Sequence, residues 1–191
     1  ALDKHQVVKD IMAIYDERGY EFQEVFDEYL RRVNGRVDYK YLASAIVAYR
    51  RAKEAALILY PRVMETLLIL AKSGQKLGVL SDAPSREAWM RLCYLNFHHI
   101  FDAVITFDDT GVHKPAPEPF RKICQLLGVN FEETLMVGDW PERDITGANN
   151  VGMVTAFARY GHTGQVEDSG ADYELEDIHQ LVQIIKDRNK P

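Results

Sequence analysis

Long apolar runs are missing from this sequence. The longest lies near Leu67–Leu70 and is cut off by Lys72, far short of the roughly 20 residues that a membrane helix needs. Cysteine is scarce as well. Cys93 and Cys124 are the only two in 191 residues and sit in helix-like segments without paired spacing. That predicts reduced, half-buried thiols and a cytoplasmic location rather than a disulfide framework. No excess of positive charge is present, the formal net charge being −6, so neither a nucleic-acid nor an anionic-membrane surface is suggested. No Gly-x-Gly-x-x-Gly follows any predicted strand, which removes the usual sign of dinucleotide binding. The first ten residues, Ala1–Asp10, are polar and mixed in charge, unlike a secretory leader. What is left is 47% hydrophobic and 27% charged, ordinary for a globular chain with one buried core and a small accessory domain.

Residues 1–58 read as helices only. Val7, Val8, Ile11, Ile14 and Tyr15 share one helical face, and Gly19 ends the run. Phe22 to Val33 repeats the pattern and closes at Asn34-Gly35; a third helix follows Asp38, a candidate N-cap. Such stripes predict a small all-α bundle. After Tyr60-Pro61 the pattern becomes short apolar runs alternating with amphipathic stretches, as in a parallel α/β sheet. Strands are predicted at Lys76–Leu80, Ala103–Phe107, Thr134–Val137 and Met153–Ala158. Helices are predicted at Val63–Lys72 and Ser85–Leu95, from Pro117 to Leu127, near Arg143–Asn150 and at Asp177–Asp187. The expected fold class is α/β: a Rossmann-like three-layer core over residues 59–191 with a small helical domain over 1–58.

Ligands of open parallel sheets bind at the carboxyl ends of the strands. Ser81 follows Leu77-Gly78-Val79-Leu80; its hydroxyl could donate to a phosphoryl oxygen or simply cap the next turn. Lys114 stands in His113-Lys114-Pro115-Ala116-Pro117, where the prolines stiffen the loop and fix where the ammonium points. A lysine before proline in a surface loop is also commonplace. Gly138-Asp139-Trp140-Pro141-Glu142-Arg143-Asp144 is more specific. Its glycine permits a tight turn off the strand, and two carboxylates five residues apart suit Mg²⁺, a hard cation that keeps several waters. His98-His99 reads as a solvated turn.

In this order, at successive strand ends, Ser81, Lys114 and the Asp139/Asp144 pair resemble motifs II, III and IV of the haloacid-dehalogenase-like (HAD) superfamily. Leu59-Tyr60-Pro61, Gly111 and Gly147–Gly152 agree with the family pattern, and the leading helices resemble its small helical cap. The resemblance implies a phosphatase acting on a small phosphorylated metabolite through an aspartyl-phosphate. Ser81, Asp82 and Lys114 would bind substrate, Asp139 would ligate Mg²⁺, and Asp144 would hold a water of its shell. A carboxylate at Asp139 favours phosphate chemistry over dehalogenation, which in this family uses no Mg²⁺.

The family's nucleophile, an Asp-x-Asp ending an apolar strand, is not among these residues. Phe107-Asp108-Asp109-Thr110-Gly111 echoes it but lacks the spacing. The resemblance places that strand at the sheet centre, between those ending at Ser81 and Val137. Burying its four or five apolar residues contributes roughly 1.5–3 kcal/mol each, close to the roughly 5–15 kcal/mol net stability of a domain. A complementing N-terminal segment of the intact protein is therefore expected, with a homodimer partner's strand or a closed-up sheet as other ways to fill the gap. The alternative function is a catalytically inactive binding module.

Overall fold

The structure is a computed structural model and describes residues 3–190. The chain divides into two compact units, one ending at Ile58 and the other beginning at Leu59.

The first unit contains helices α1 (Lys4–Arg18), α2 (Val25–Asn34) and α3 (Tyr39–Ala56). Gly19 and Gly35 end the first two, at φ 89° and 70°, conformations that glycine reaches without a Cβ clash. The Asp38 carboxylate accepts from the backbone N–H of Lys40 and Tyr41 and so starts α3. Ile14, Val25 and Tyr29 are buried where α1 meets α2, and the Tyr49 ring of α3 meets Phe26 edge-on at 5.4 Å.

The second unit runs α4 (Val63–Lys72), β1 (Gly78–Leu80), α5 (Ser85–Tyr94), β2 (Ala103–Ile105), α6 (Phe107–Thr110), α7 (Pro117–Leu127), β3 (Leu135–Gly138), a π-turn (Pro141–Ile145), α8 (Thr146–Val151), β4 (Val154–Ala158), β5 (Tyr173–Leu175) and α9 (Gln180–Arg188). All strand pairs are parallel. One face of the sheet packs Ile105 against Phe120, Ile123, Leu127 and Ala148 from α7 and α8; the other packs Leu77, Ala156 and Leu175 against Leu70 of α4 and Leu181 of α9. This is a three-layer α/β core with a helical domain beside it in sequence. No described helix is long and apolar enough to cross a membrane.

The sheet is in two pieces. β1 pairs with β2, and β3 pairs with β4, which pairs with β5. Among the described residues nothing joins β1 to β3. A cavity of about 630 Å³ lies there instead, lined by Leu77–Leu80 and Thr134–Val137 with Leu67, Phe120, Leu181 and Ile185. The two pieces have not closed up on each other.

Besides element limits, and a π-turn at Pro141–Ile145 where a helix near Arg143–Asn150 is expected, three details depart from the sequence reading. Phe107 begins a one-turn helix rather than ending a strand, because the Thr106 side chain and Asp109 cap one another reciprocally. Tyr173–Leu175 is a fifth strand. The cysteines are not both half-buried: Cys93 is exposed and Cys124 buried.

Candidate active site

The carboxyl ends of β1, β2 and β3 bring the singled-out residues to one edge of the core. The backbone N–H of Ser81 donates to Ile105 O at 2.9 Å, extending the β1–β2 ladder by one residue. Its hydroxyl oxygen accepts from Ala83 N at 3.2 Å. The turn-capping role and a ligand role are thus compatible, since the hydroxyl proton is left to donate elsewhere.

Asp82 points across to the next loop. Its Oδ1 accepts from the backbone N–H of Lys114 at 2.9 Å, and its Oδ2 from Arg143 Nη1 at 3.3 Å. Lys114 is thereby fixed at its backbone. Its ammonium is fixed too, donating to Asp144 Oδ1 at 2.6 Å and to Leu80 O at 3.3 Å. An ammonium has three protons, so one remains for a ligand.

Asp144 reaches this pair because the chain makes a wide turn off β3. Pro141 opens that turn, where a missing N–H costs nothing, and Asp144 N donates to Trp140 O at 2.7 Å. Asp144 Oδ2 in turn accepts from Trp140 N at 3.1 Å. Gly138 has no Cβ because one would overlap the Asp144 carboxylate. Gly147 admits the Phe120 ring, which would lie 2.6 Å from a Cβ there. These two glycines set how tightly the loop folds under the site.

Asp139 reaches solvent at the strand end. Partial burial, and then the charge of Asp144, push its carboxyl above the usual carboxylate range; Lys114 and His162 act in the other direction. Asp139 and Asp144 are the residues that could hold a hard cation. No group of three or more ligand-type side chains occurs among the described residues, so water and substrate oxygens would complete the shell, as Mg²⁺ tolerates.

Asp109 takes no part in this arrangement. Its carboxylate accepts from Thr106 N at 2.8 Å, and that bond holds it below the usual carboxylate range. The His98 and His99 rings are tilted at 52° to each other, with their centroids 3.9 Å apart.

Sequence reasoning overlooked Arg143, His162 and Tyr160. Arg143 lies over the Trp140 ring, 4.2 Å from its centroid, while holding Asp82. His162 Nδ1 is 2.8 Å from Asp139 O; a carbonyl only accepts, so Nδ1 carries the proton. The Tyr160 hydroxyl is pushed up to about 12, first by burial and then by Asp177 and Asp139. His162 and Tyr160 follow β4 as the singled-out residues follow β1 and β3, so extending the strand-end rule by one strand would have found them.

Residues 3–152 match a family model described as a haloacid dehalogenase-like hydrolase. A glyceraldehyde 3-phosphate phosphatase of Methanopyrus kandleri is 34% identical over 99% of this chain and 83% of its own length. A pyrophosphatase PpaX of Bacillus cereus is 37% identical over 69% of this chain and 61% of its own. A crystal structure of a HAD phosphatase from Thermococcus onnurineus superposes with a TM-score of 0.72 at 26% identity, over 95% of this chain and 78% of that one.

Proposed function

Because the chain belongs to the haloacid dehalogenase-like hydrolases, as a phosphatase of that family, we propose that it acts on a small phosphorylated metabolite with Mg²⁺ as its cofactor. The observation that carries this reading is the Lys114–Asp144 pair beside Asp139 at the strand ends. It supplies one oriented ammonium proton and two carboxylates at a single point, which is what a phosphoryl group and a hard divalent cation require together.

Ser81 and Lys114 would bind the transferring phosphoryl oxygens. Asp139 would ligate Mg²⁺, with Asp144 behind it and held in place by Lys114 and Trp140 N. Mg²⁺ would neutralise charge shared between the phosphoryl group and the nucleophile. The nucleophile would be a carboxylate delivered by an extended strand in the cleft between β1 and β3. Its oxygen would attack phosphorus as the ester P–O bond breaks; the second aspartate of the Asp-x-Asp would give its proton to the leaving oxygen and take one back from the water that hydrolyses the aspartyl-phosphate. The cleft is lined mainly by apolar residues, among them Leu80, to whose carbonyl oxygen Lys114 Nζ already donates. A strand ending there would place its last side chain against the ammonium.

Glyceraldehyde 3-phosphate is the first substrate to try, since the relative matched over 99% of this chain carries that name. Pyrophosphate is the contrasting one, suggested by a relative matched over 69%. The absence of Asp-x-Asp among these residues favours a second reading, an inactive binding module. Initial rates with both substrates and a generic aryl phosphate, with and without Mg²⁺, test the assignment. Mg²⁺-dependent turnover supports phosphatase chemistry. No turnover in a protein that carries an Asp-x-Asp strand would leave the module reading.

A further inference from the structure

Asp82 is the residue through which three separate loops meet. It stands in the loop after β1, accepts from the Lys114 backbone of the loop before α7, and accepts from Arg143 of the turn after β3. His113 Nδ1 lies 3.9 Å from its Oδ1. The Asp82 side chain is 12% exposed and that of Arg143 33%. Arg143 is held from its other side by the Trp140 indole. Both carboxylate oxygens thus face protein donors.

We propose that Asp82 is a positioning residue: it ties the Lys114 loop to the Pro141–Ile145 turn and thereby fixes where the Lys114 ammonium points, without touching substrate itself. The proposal rests on the phosphatase reading, in which that ammonium faces the phosphoryl group. Lys114 is anchored at two ends, by Asp82 at its backbone and by Leu80 O and Asp144 at its ammonium. With only the ammonium end held, the four-carbon stem could adopt several paths to the same partners. Carboxylate chemistry fits the task. It is an acceptor at both oxygens, whereas an amide would accept from Lys114 N but turn an NH₂ group, a second donor, towards Arg143.

The test compares Asp82→Asn, Asp82→Ala, Arg143→Met and the Asp82→Asn/Arg143→Met double variant in the intact enzyme. kcat and KM are read with an aryl phosphate, and exchange of the Lys114 amide proton is read without substrate. Misplacing a reacting group by about an ångström costs up to roughly 100-fold in rate. Asp82→Ala is therefore expected to lose up to about 100-fold in kcat with KM little changed. Asp82→Asn and Arg143→Met should each lose less, and the double variant little more than either alone. The Lys114 amide should exchange slowly in the wild type and Asp82→Asn, and fast in Asp82→Ala. A raised KM with kcat preserved would make Asp82 a substrate ligand and overturn the proposal. So would a lowered Tm with unaltered kcat and KM. If Asp82→Ala does not fold, the Asn and Met variants still decide by their additivity. If the wild type has no phosphatase activity but the amide exchanges as expected, the phosphatase reading fails while the tie between the loops stands. Fast exchange in the wild type would overturn the tie itself.

Discussion

Lys114 and Asp144 form an ion pair of 2.6 Å whose side chains are only 11% and 6% exposed. Two charges so far from water depend on one another. Removing one partner of a buried pair costs about 3–5 kcal/mol, whereas replacing both with apolar groups of similar size is often neutral. Lys114→Met should therefore destabilise the protein by about that amount, and Lys114→Met/Asp144→Leu should recover most of it. In the intact enzyme neither variant should retain phosphatase activity. Denaturant unfolding beside an aryl-phosphate assay checks both statements, and a stable, active Lys114→Met would contradict them.

Asp139 gives the opposite sign. Its carboxyl is raised in the folded chain by burial and by Asp144, so the native state binds this proton more tightly than the unfolded chain does. The group's stabilising contribution is complete below its unfolded value, about 3.9, and is lost as pH rises through the folded value. At neutral pH the ionised carboxylate therefore costs stability when no cation is bound. Asp139→Asn should raise Tm in the presence of a chelator and should flatten this part of the pH dependence. Mg²⁺ should raise the Tm of the wild type by mass action and leave that of Asp139→Asn unmoved. Differential scanning across pH 4–8, with and without Mg²⁺, reads all of this.

How far the sequence revealed this molecule depended on how local each signal was. Helix α4 was predicted at its observed limits, Val63–Lys72, since an amphipathic run closed by Gly74 is complete within one window. β5 was missed because three residues, with only Leu175 buried, hold too little period to read. The turn at Thr106 was legible in principle: Thr106-x-x-Asp109 is a capping-box spacing, but the apolar run Ala103–Phe107 hid it. Within the candidate site, strand-end positions led to Ser81, Asp82, Lys114, Asp139 and Asp144, which the fold does gather at one edge. The partner of Asp82 was not legible. That Arg143 holds Asp82 depends on the width of the turn after β3, which no period in the sequence encodes.

Gly138 tests that turn directly. A methyl group there would overlap the Asp144 carboxylate, so Gly138→Ala must displace Asp144 and with it the partner of Lys114. Overpacking of this kind costs typically about 1–3 kcal/mol. The expected result is a lower Tm together with a loss of phosphatase activity in the intact enzyme. Loss of stability with full activity would mean that Asp144 relaxes without consequence.

The cleft between β1 and β3 makes the last prediction, and the backbone pattern sharpens it to single amides. Along a strand, successive N–H and C=O groups point to opposite sides. Ser81 N donates to Ile105 O and Leu77 O accepts from Asp102 N, so Leu77, Val79 and Ser81 face β2, leaving Gly78 and Leu80 turned towards the cleft. Val154 N donates to Thr134 O, so Thr134, Met136 and Gly138 face β4, leaving Leu135 and Val137 turned towards the cleft. Leu80 O has a partner in Lys114 Nζ, but amide N–H groups turned towards a cavity of about 630 Å³ without one are unfavourable. An apolar strand ending in Asp-x-Asp, supplied as an added segment, should pair with both edges at once. Hydrogen exchange should then slow at Gly78, Leu80, Leu135 and Val137, while Val79 and Met136, bonded within the existing sheet pieces, should be slow with or without it. Phosphatase activity should appear with the same segment and survive Asp109→Asn, since Asp109 is committed to Thr106. If the 191-residue polypeptide alone protects those four amides or turns over aryl phosphate, the cleft is not where the nucleophile belongs.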